Sequence, residues 1–226
     1  MKGGEVRVHV VAYRTSWPVA VVWACLSALV AVTCVLAFLQ PEWFVRQEQD
    51  AETRQILRYD RDTVVYVLGV FGVCYRDPYP RIRQFSCHNF GASRDFAYFP
   101  STAWQASCVL YGCGCIMLTC CGLLAFPSLW SKEQRKRRML IVLMGHVQIA
   151  AVCLQTAALL LYPLVLTSHF GRMHCGHRSD LYFPDSCRLG WAYMLAITGT
   201  VLAYYCPFLA RFSSYNVYSR CYWAQV

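Results

Sequence analysis

The chain has 226 residues, 57% of them apolar and 15% charged, with a formal charge of +9. That length suits one soluble domain or one small membrane bundle, and no basic-aromatic stripe accompanies the charge to suggest nucleic acid. Residues 17–39, 101–126, 139–166 and 189–210 each lack Asp, Glu, Lys and Arg, and each reaches the roughly 20 residues a helix needs to cross a ~30 Å hydrocarbon core.

The chain therefore reads as a single tetraspan domain over residues 1–226. Residues 1–16 form a basic arm, followed by a first span at 17–39. That span is too long for a signal-peptide core and lacks a clean small-residue cleavage site, so it reads as a retained signal-anchor. The outer loop at 40–100 is too long for a bare connector. Residues 42–62 mix charges of both signs and read as loop plus an edge strand. The Val-, Tyr- and Phe-rich stretch at 63–75, interrupted by Gly69 and Gly72, reads as strand. Asp77-Pro78-Tyr79-Pro80 signals a turn, and residues 81–87 a second extended piece. Folding about that turn brings Cys74 to Cys87 across antiparallel strands, at the roughly 5.5 Å Cα spacing a disulfide needs. Pro100-Ser101 then suits the start of the second span, 101–126.

Residues 127–138 form a basic loop carrying Lys132, Arg135, Lys136, Arg137 and Arg138. In the third span, 139–166, His146, Gln148 and Gln155 are the most polar residues. Gln148 and Gln155, seven apart, share a helix face. Interhelical hydrogen bonds worth about 0.6–2 kcal/mol each explain this polar set without any substrate. The second outer loop, 167–188, holds Cys175 and Cys187, and closing it would stabilise by roughly 3 kcal/mol. The fourth span is 189–210 and the tail 211–226.

Orientation follows from the basic flanks. The arm, basic loop and tail carry ten basic residues against Glu5 and Glu133, whereas the outer loops hold eleven Arg against ten acids. The positive-inside rule places both termini in the cytosol, with the basic cluster at anionic inner-leaflet lipid. Of fourteen cysteines, only Cys74, Cys87, Cys175 and Cys187 then lie on the oxidising side, where one pair per loop is the simplest connectivity. The other cysteines behave as small apolar residues, with S-acylation an option near the inner edge at Cys120, Cys121, Cys206 and Cys221. His174-Cys175-Gly176-His177 can be drawn as a zinc site, but zinc would compete with the disulfide for Cys175. No metal centre, cofactor or catalytic arrangement is expected: there is no H-E-x-x-H, G-x-S-x-G, phosphate loop or intramembrane carboxylate pair. Neither outer loop carries a glycosylation sequon.

Several motifs converge on one family. Trp43, then Gly69-Val70-Phe71-x-x-Cys74 and Cys87, resembles the W…G-L-[W/F]-x-x-C…C signature of the claudin-type tetraspan superfamily. Gln40-Pro41-Glu42-Trp43, Gln148-Ile149-Ala150-Ala151 with Tyr162-Pro163, Cys175-Gly176…Cys187 and Trp191-Ala192-Tyr193-Met194-Leu195-Ala196 are similar to narrower patterns of the lipoma-HMGIC-fusion-partner-like tetraspan family. The resemblance runs from about Tyr13 to Phe208. It implies a left-handed four-helix bundle under a small extracellular antiparallel β-sheet. It also implies a non-catalytic, plasma-membrane role as auxiliary subunit of a channel, receptor or cadherin-like complex. Family examples are the hair-cell mechanotransduction complex and type A GABA receptors. Val70 departs from the superfamily Leu, and Thr102-Ala103-Trp104 replaces a basic residue of the family. The section at 50–61 is longer than in the family.

The first functional expectation is lateral binding of a larger membrane partner through the spans and first outer loop, with homodimerisation a further option. Trp17, Trp23, Trp104 and Tyr111 offer apolar contact there, or else serve the lipid interface and bundle packing, with Trp17 at the cytosolic interface and Trp104 at the outer one. The alternative is claudin-like adhesion or barrier formation. An intramembrane thiol oxidoreductase fits poorly, for the chain lacks a C-x-x-C.

Overall fold

The structure is a computed structural model. It describes residues 6–13, 17–46, 64–76, 85–89, 99–131, 133–176, 178–181, 183–214 and 217–224. The turn expected at residues 77–80 and the charged stretch at 47–62 lie outside the described residues, as does Lys132.

In chain order the elements are strand β1 (Val6–Tyr13), helix α1 (Trp17–Leu39), and strands β2 (Phe44–Arg46), β3 (Val64–Leu68), β4 (Gly72–Arg76) and β5 (Phe85–Asn89). Helices α2 (Thr102–Trp130) and α3 (Gln134–Leu161) follow, the latter running into a 3-10 turn at Tyr162–Thr167. A short helix α4 (His169–Cys175), strand β6 (Cys187–Leu189), helices α5 (Trp191–Ala203) and α6 (Tyr205–Ser214), and strand β7 (Val217–Ala224) complete the chain. Four helical segments are long and apolar enough to span a membrane: α1, α2, α3 with its 3-10 turn, and α5 with α6. The chain is thus a four-span bundle carrying a small antiparallel sheet.

Helices α2 and α3 extend beyond the spans expected at 101–126 and 139–166. Ser101 caps α2 with its hydroxyl, which accepts from the Trp104 amide at 3.2 Å. α2 then continues through Pro127 to Trp130. α3 begins at Gln134, so Arg135 to Arg138 occupy its first turns rather than a loop. Lys136 is exposed there while the backbone is already helical.

The seams are built from small residues at a period near 3.5. On α1, Ala20, Ala24, Ser27, Ala31, Cys34 and Ala37 are buried. α2 buries Ser107, Tyr111, Gly114, Leu118, Cys121 and Ala125. That period belongs to left-handed packing, and small side chains allow the close backbone approach that membrane helices need. Gly114 shows the constraint: a Cβ there would come within 2.5 Å of Gln155 Cγ.

At one end of the bundle, β1 and β7 pair as a two-stranded ribbon, Val6 opposite Ala224 through Tyr13 opposite Val217. The arm and tail were expected only as basic flanks. At the other end lies a five-stranded antiparallel sheet, ordered β5-β4-β3-β2-β6. Two expectations change here. The stretch at 63–75 is not one strand but a hairpin, because the chain reverses at Gly69, whose amide donates to the Gly72 carbonyl at 2.8 Å. A Cβ at Gly69 would sit 2.7 Å from Pro41 Cα, so the turn requires glycine. The strand expected at an edge, β2, instead lies inside the sheet, between β3 and β6.

Candidate docking surface

The five-stranded sheet is seated on the bundle by aromatic side chains. Trp43 is fully buried, and its indole N–H donates to the Ala37 carbonyl at 2.8 Å, closing the end of α1. Tyr162, Tyr111 and Tyr193, from three other spans, surround its ring at 4.7, 5.3 and 5.4 Å. Phe44 stacks on Tyr162 and Tyr193 at 5.5 and 5.8 Å. Aromatic pairs of this kind add about 0.5–1.5 kcal/mol each beyond area burial. Trp43 is therefore the hub where all four spans meet the sheet.

Trp104 makes the second attachment. It is fully buried, and its indole N–H is shared between the carbonyls of Gly69 (3.1 Å) and Val70 (3.0 Å) at the hairpin turn. The Tyr162 hydroxyl adds a bond to the Leu68 carbonyl at 3.3 Å. These bonds satisfy turn carbonyls that would otherwise be stranded against apolar surface. Trp104 is therefore internal, not at the lipid interface. Trp23 and Tyr111 are also fully buried, and only Trp17 of the four aromatics is exposed.

The segment between the third and fourth spans joins the same platform. Gly190 N–H donates to the Trp43 carbonyl at 2.7 Å and Ala192 N–H to Glu42 at 3.2 Å. A Cβ on Gly190 would run into the Glu42 carbonyl. Sequence reading missed both α4 and β6. A three-residue strand carries no periodicity, and only the Gly190-Trp191 junction hinted at a tight approach.

Disulfides join Cys74 to Cys87 across β4 and β5, and Cys175 to Cys187 between α4 and β6. Cys74 and Cys87 are direct register partners. Gly176, at φ 110°, lies against the Asp185 carboxylate, so no other residue fits after Cys175. Cys175 is committed to sulfur, and His174 Nδ1–H donates to the Phe170 carbonyl at 2.8 Å. Burial, and secondarily the charge of Arg46, hold the His174 pKa below its ordinary 6.5, against an opposing backbone hydrogen bond.

The platform exposes apolar side chains set among charged ones, with Arg172, Arg178, Asp180, Asp185 and Arg188 also at the surface. Met173, Leu181, Phe183, Leu189, Trp191 and Met194 are each between 42% and 62% exposed, all on the second loop and the first turn of α5. β6 is an edge strand beside them. Such a rim, with backbone donors along an edge, is suited to a protein partner.

The polar residues of α3 divide. Gln148 is buried and clamps α1: Trp23 Nε1–H donates to its Oε1 at 3.2 Å, and its Nε2–H donates to the Ser27 hydroxyl at 2.8 Å. Gln155 is buried between the thiols of Cys34 (3.8 Å) and Cys115 (3.6 Å). His146 does not join them. It is exposed and its Nδ1–H donates to its own helix at the Val142 carbonyl, 2.8 Å away. Two residues before Gln148 puts it about 200° round the helix from the seam.

The basic cluster divides too. Lys136 pairs with Glu133 at 2.6 Å on the surface, whereas Arg138 turns toward α6. Of the cysteines weighed for S-acylation, Cys121 and Cys206 are enclosed by the bundle and closed to an acyl donor. Cys120 is exposed, and Cys221 is placed only by its backbone, opposite His9.

A family profile described as "Lipoma HMGIC fusion partner-like protein" matches residues 19–214. Curated relatives include human LHFPL tetraspan subfamily member 2 protein, 27% identical over 194 residues, covering 83% of each chain. The zebrafish (Danio rerio) member 2a protein is 28% identical over 192 residues, again covering 83% of each. Zebrafish member 3 protein is 27% identical over 198 residues, covering 87% of this chain and 82% of its own.

Proposed function

The chain belongs to the lipoma HMGIC fusion partner-like family, and from that premise we propose that it is a non-catalytic auxiliary or assembly subunit. It binds an integral membrane channel, receptor or cadherin-like protein laterally, at the plasma membrane, with both termini in the cytosol. The observation that carries this reading is the braced outer platform: a sheet seated on all four spans, stapled twice, and rimmed by exposed apolar side chains. A rigid surface lowers the ordering cost of binding, so a small apolar rim suffices to hold a partner. Partner contact extends in this reading beyond the first outer loop to the second loop and the start of α5.

The mechanism is one of positioning. Trp43 and Trp104 transmit the orientation of the helices to the sheet, so a partner docked on the rim is held at a set height and angle. The spans supply lateral contact. Inside them Gln148 and Gln155 partner Trp23, Ser27, Cys34 and Cys115, in keeping with a structural core rather than a conduction path.

The test is affinity purification of the full chain from native membranes in mild detergent. A larger multispan or cadherin-like protein is expected to co-purify. Exchange of Phe183→Asp together with Trp191→Ala should reduce its recovery roughly tenfold or more, with both disulfides still formed. Recovery of the chain only with itself, or strand-like polymers at cell contacts on overexpression, would replace this reading with adhesion.

A further inference from the structure

We propose that the groove between α3 and α6, at the basic-loop end of the bundle, is a binding site for an anionic phospholipid. Its mouth is formed by Arg138 and Arg211, one from each helix, and its lower walls by Val142, Ile149 and Pro207, with His146 between. The cavity holds about 340 Å³. Its floor is the contact of Gly145 with Ala210, where a Cβ on the glycine would lie 3.2 Å from the alanine Cβ. Larger residues at that contact would fill the space, so the groove depends on small ones.

The polarity of the groove matches one class of molecule. Each helix brings one guanidinium to the groove, and no carboxylate is among the lining residues described. Both arginines also interact with other groups of the chain. A guanidinium's five donors allow that contact and a phosphate together. From Arg138 to Ile149 the helix descends about 16 Å, so the lower walls lie at the depth of acyl chains. Val142, His146 and Ile149 are exposed on the outer face of α3, leaving the groove open toward lipid. A soluble anion would leave those walls uncovered. An inner-leaflet acidic lipid satisfies both ends, with its phosphate at the arginines and a chain along Val142 and Ile149.

This site is separate from the docking rim, which lies at the opposite end of the bundle. It is tested on the full chain in nanodiscs of phosphatidylcholine with a minor fraction of phosphatidylserine in both leaflets, so the result does not depend on orientation. Native mass spectrometry counts the phosphatidylserine retained. The wild type should retain it in preference to phosphatidylcholine, and Arg138→Ala with Arg211→Ala should lower that retention roughly tenfold or more. Ile149→Trp, which leaves every charge in place and fills the lower groove, should also lose it. Lys136→Ala, one charge fewer on the same flank but outside the groove, should match the wild type. The proposal is overturned if Lys136→Ala costs as much as the arginine pair, or if Ile149→Trp has no effect. Absence of any preference over phosphatidylcholine also overturns it. Equal retention of water-soluble glycerophosphoserine would make the groove a simple phosphate site and end the lipid reading.

Discussion

Gln148 shows how much one polar side chain decides inside a membrane. Its amide satisfies Trp23 and Ser27 of α1 at once, where no water is available to replace it. Gln148→Leu keeps the volume but strands an indole N–H and a hydroxyl. The expected cost is about 1–3 kcal/mol, read as a lowered unfolding midpoint in detergent. Adding Trp23→Phe and Ser27→Ala to that variant should recover part of the loss, because the stranded groups are gone. A single variant as stable as the wild type would show that the clamp contributes nothing. His146, two positions away, is the contrast. It faces out and takes no part in the seam, and the helical period explains both outcomes.

Among the elements, α4 has the most exacting surroundings. It is seven residues long, capped by the Ser168 hydroxyl and tied at Cys175 to β6. His174 packs on Phe170 with ring centroids 4.2 Å apart, and Arg46 lies close enough to disfavour a second positive charge. Because the folded pKa lies below 6.5, the unfolded segment takes up a proton first as pH falls. The neutral ring's contribution is complete above the ordinary value and is lost progressively between it and the lower folded value. Hydrogen exchange across α4, corrected for intrinsic rates, should therefore show more frequent opening at about pH 5.5 than at about pH 7.5. His174→Phe, which retains the stacking, should abolish that difference. A pH dependence unchanged in the variant would assign it to another group.

For the molecule as a whole, the two ends of the bundle differ in kind. One end joins both termini through the β1–β7 ribbon, and the other carries the sheet and both disulfides. Antiparallel spans and a shared ribbon put the termini on one face, and the proposed orientation places that face in the cytosol because of its excess of basic residues. Epitope tags at either terminus should be reachable by antibody only after cells are permeabilised, while a tag placed within residues 77–84 should be reachable on intact cells. Labelling of a terminal tag without permeabilisation would invert the topology and move the lipid groove to the outer leaflet.

Charge-free length alone announced the four spans, because the bilayer's hydrophobic thickness is a one-dimensional criterion. The Cys74–Cys87 pairing was equally legible, since both residues flank the turn signal Asp77-Pro78-Tyr79-Pro80 in the sequence. Gln148 and Gln155 could be placed on one seam by their spacing of seven. What the chain could not reveal by itself was which groups meet over long separations. The Trp104 indole finds the Gly69 and Val70 carbonyls 35 and 34 residues away, and β6 enters the sheet beside β2 across more than a hundred. The groove between Arg138 and Arg211 likewise exists only once α3 and α6 pack. Local patterns determine elements because their hydrogen bonds and solvent exposure are local; the docking rim and the lipid groove depend on contacts that close only when the helices assemble.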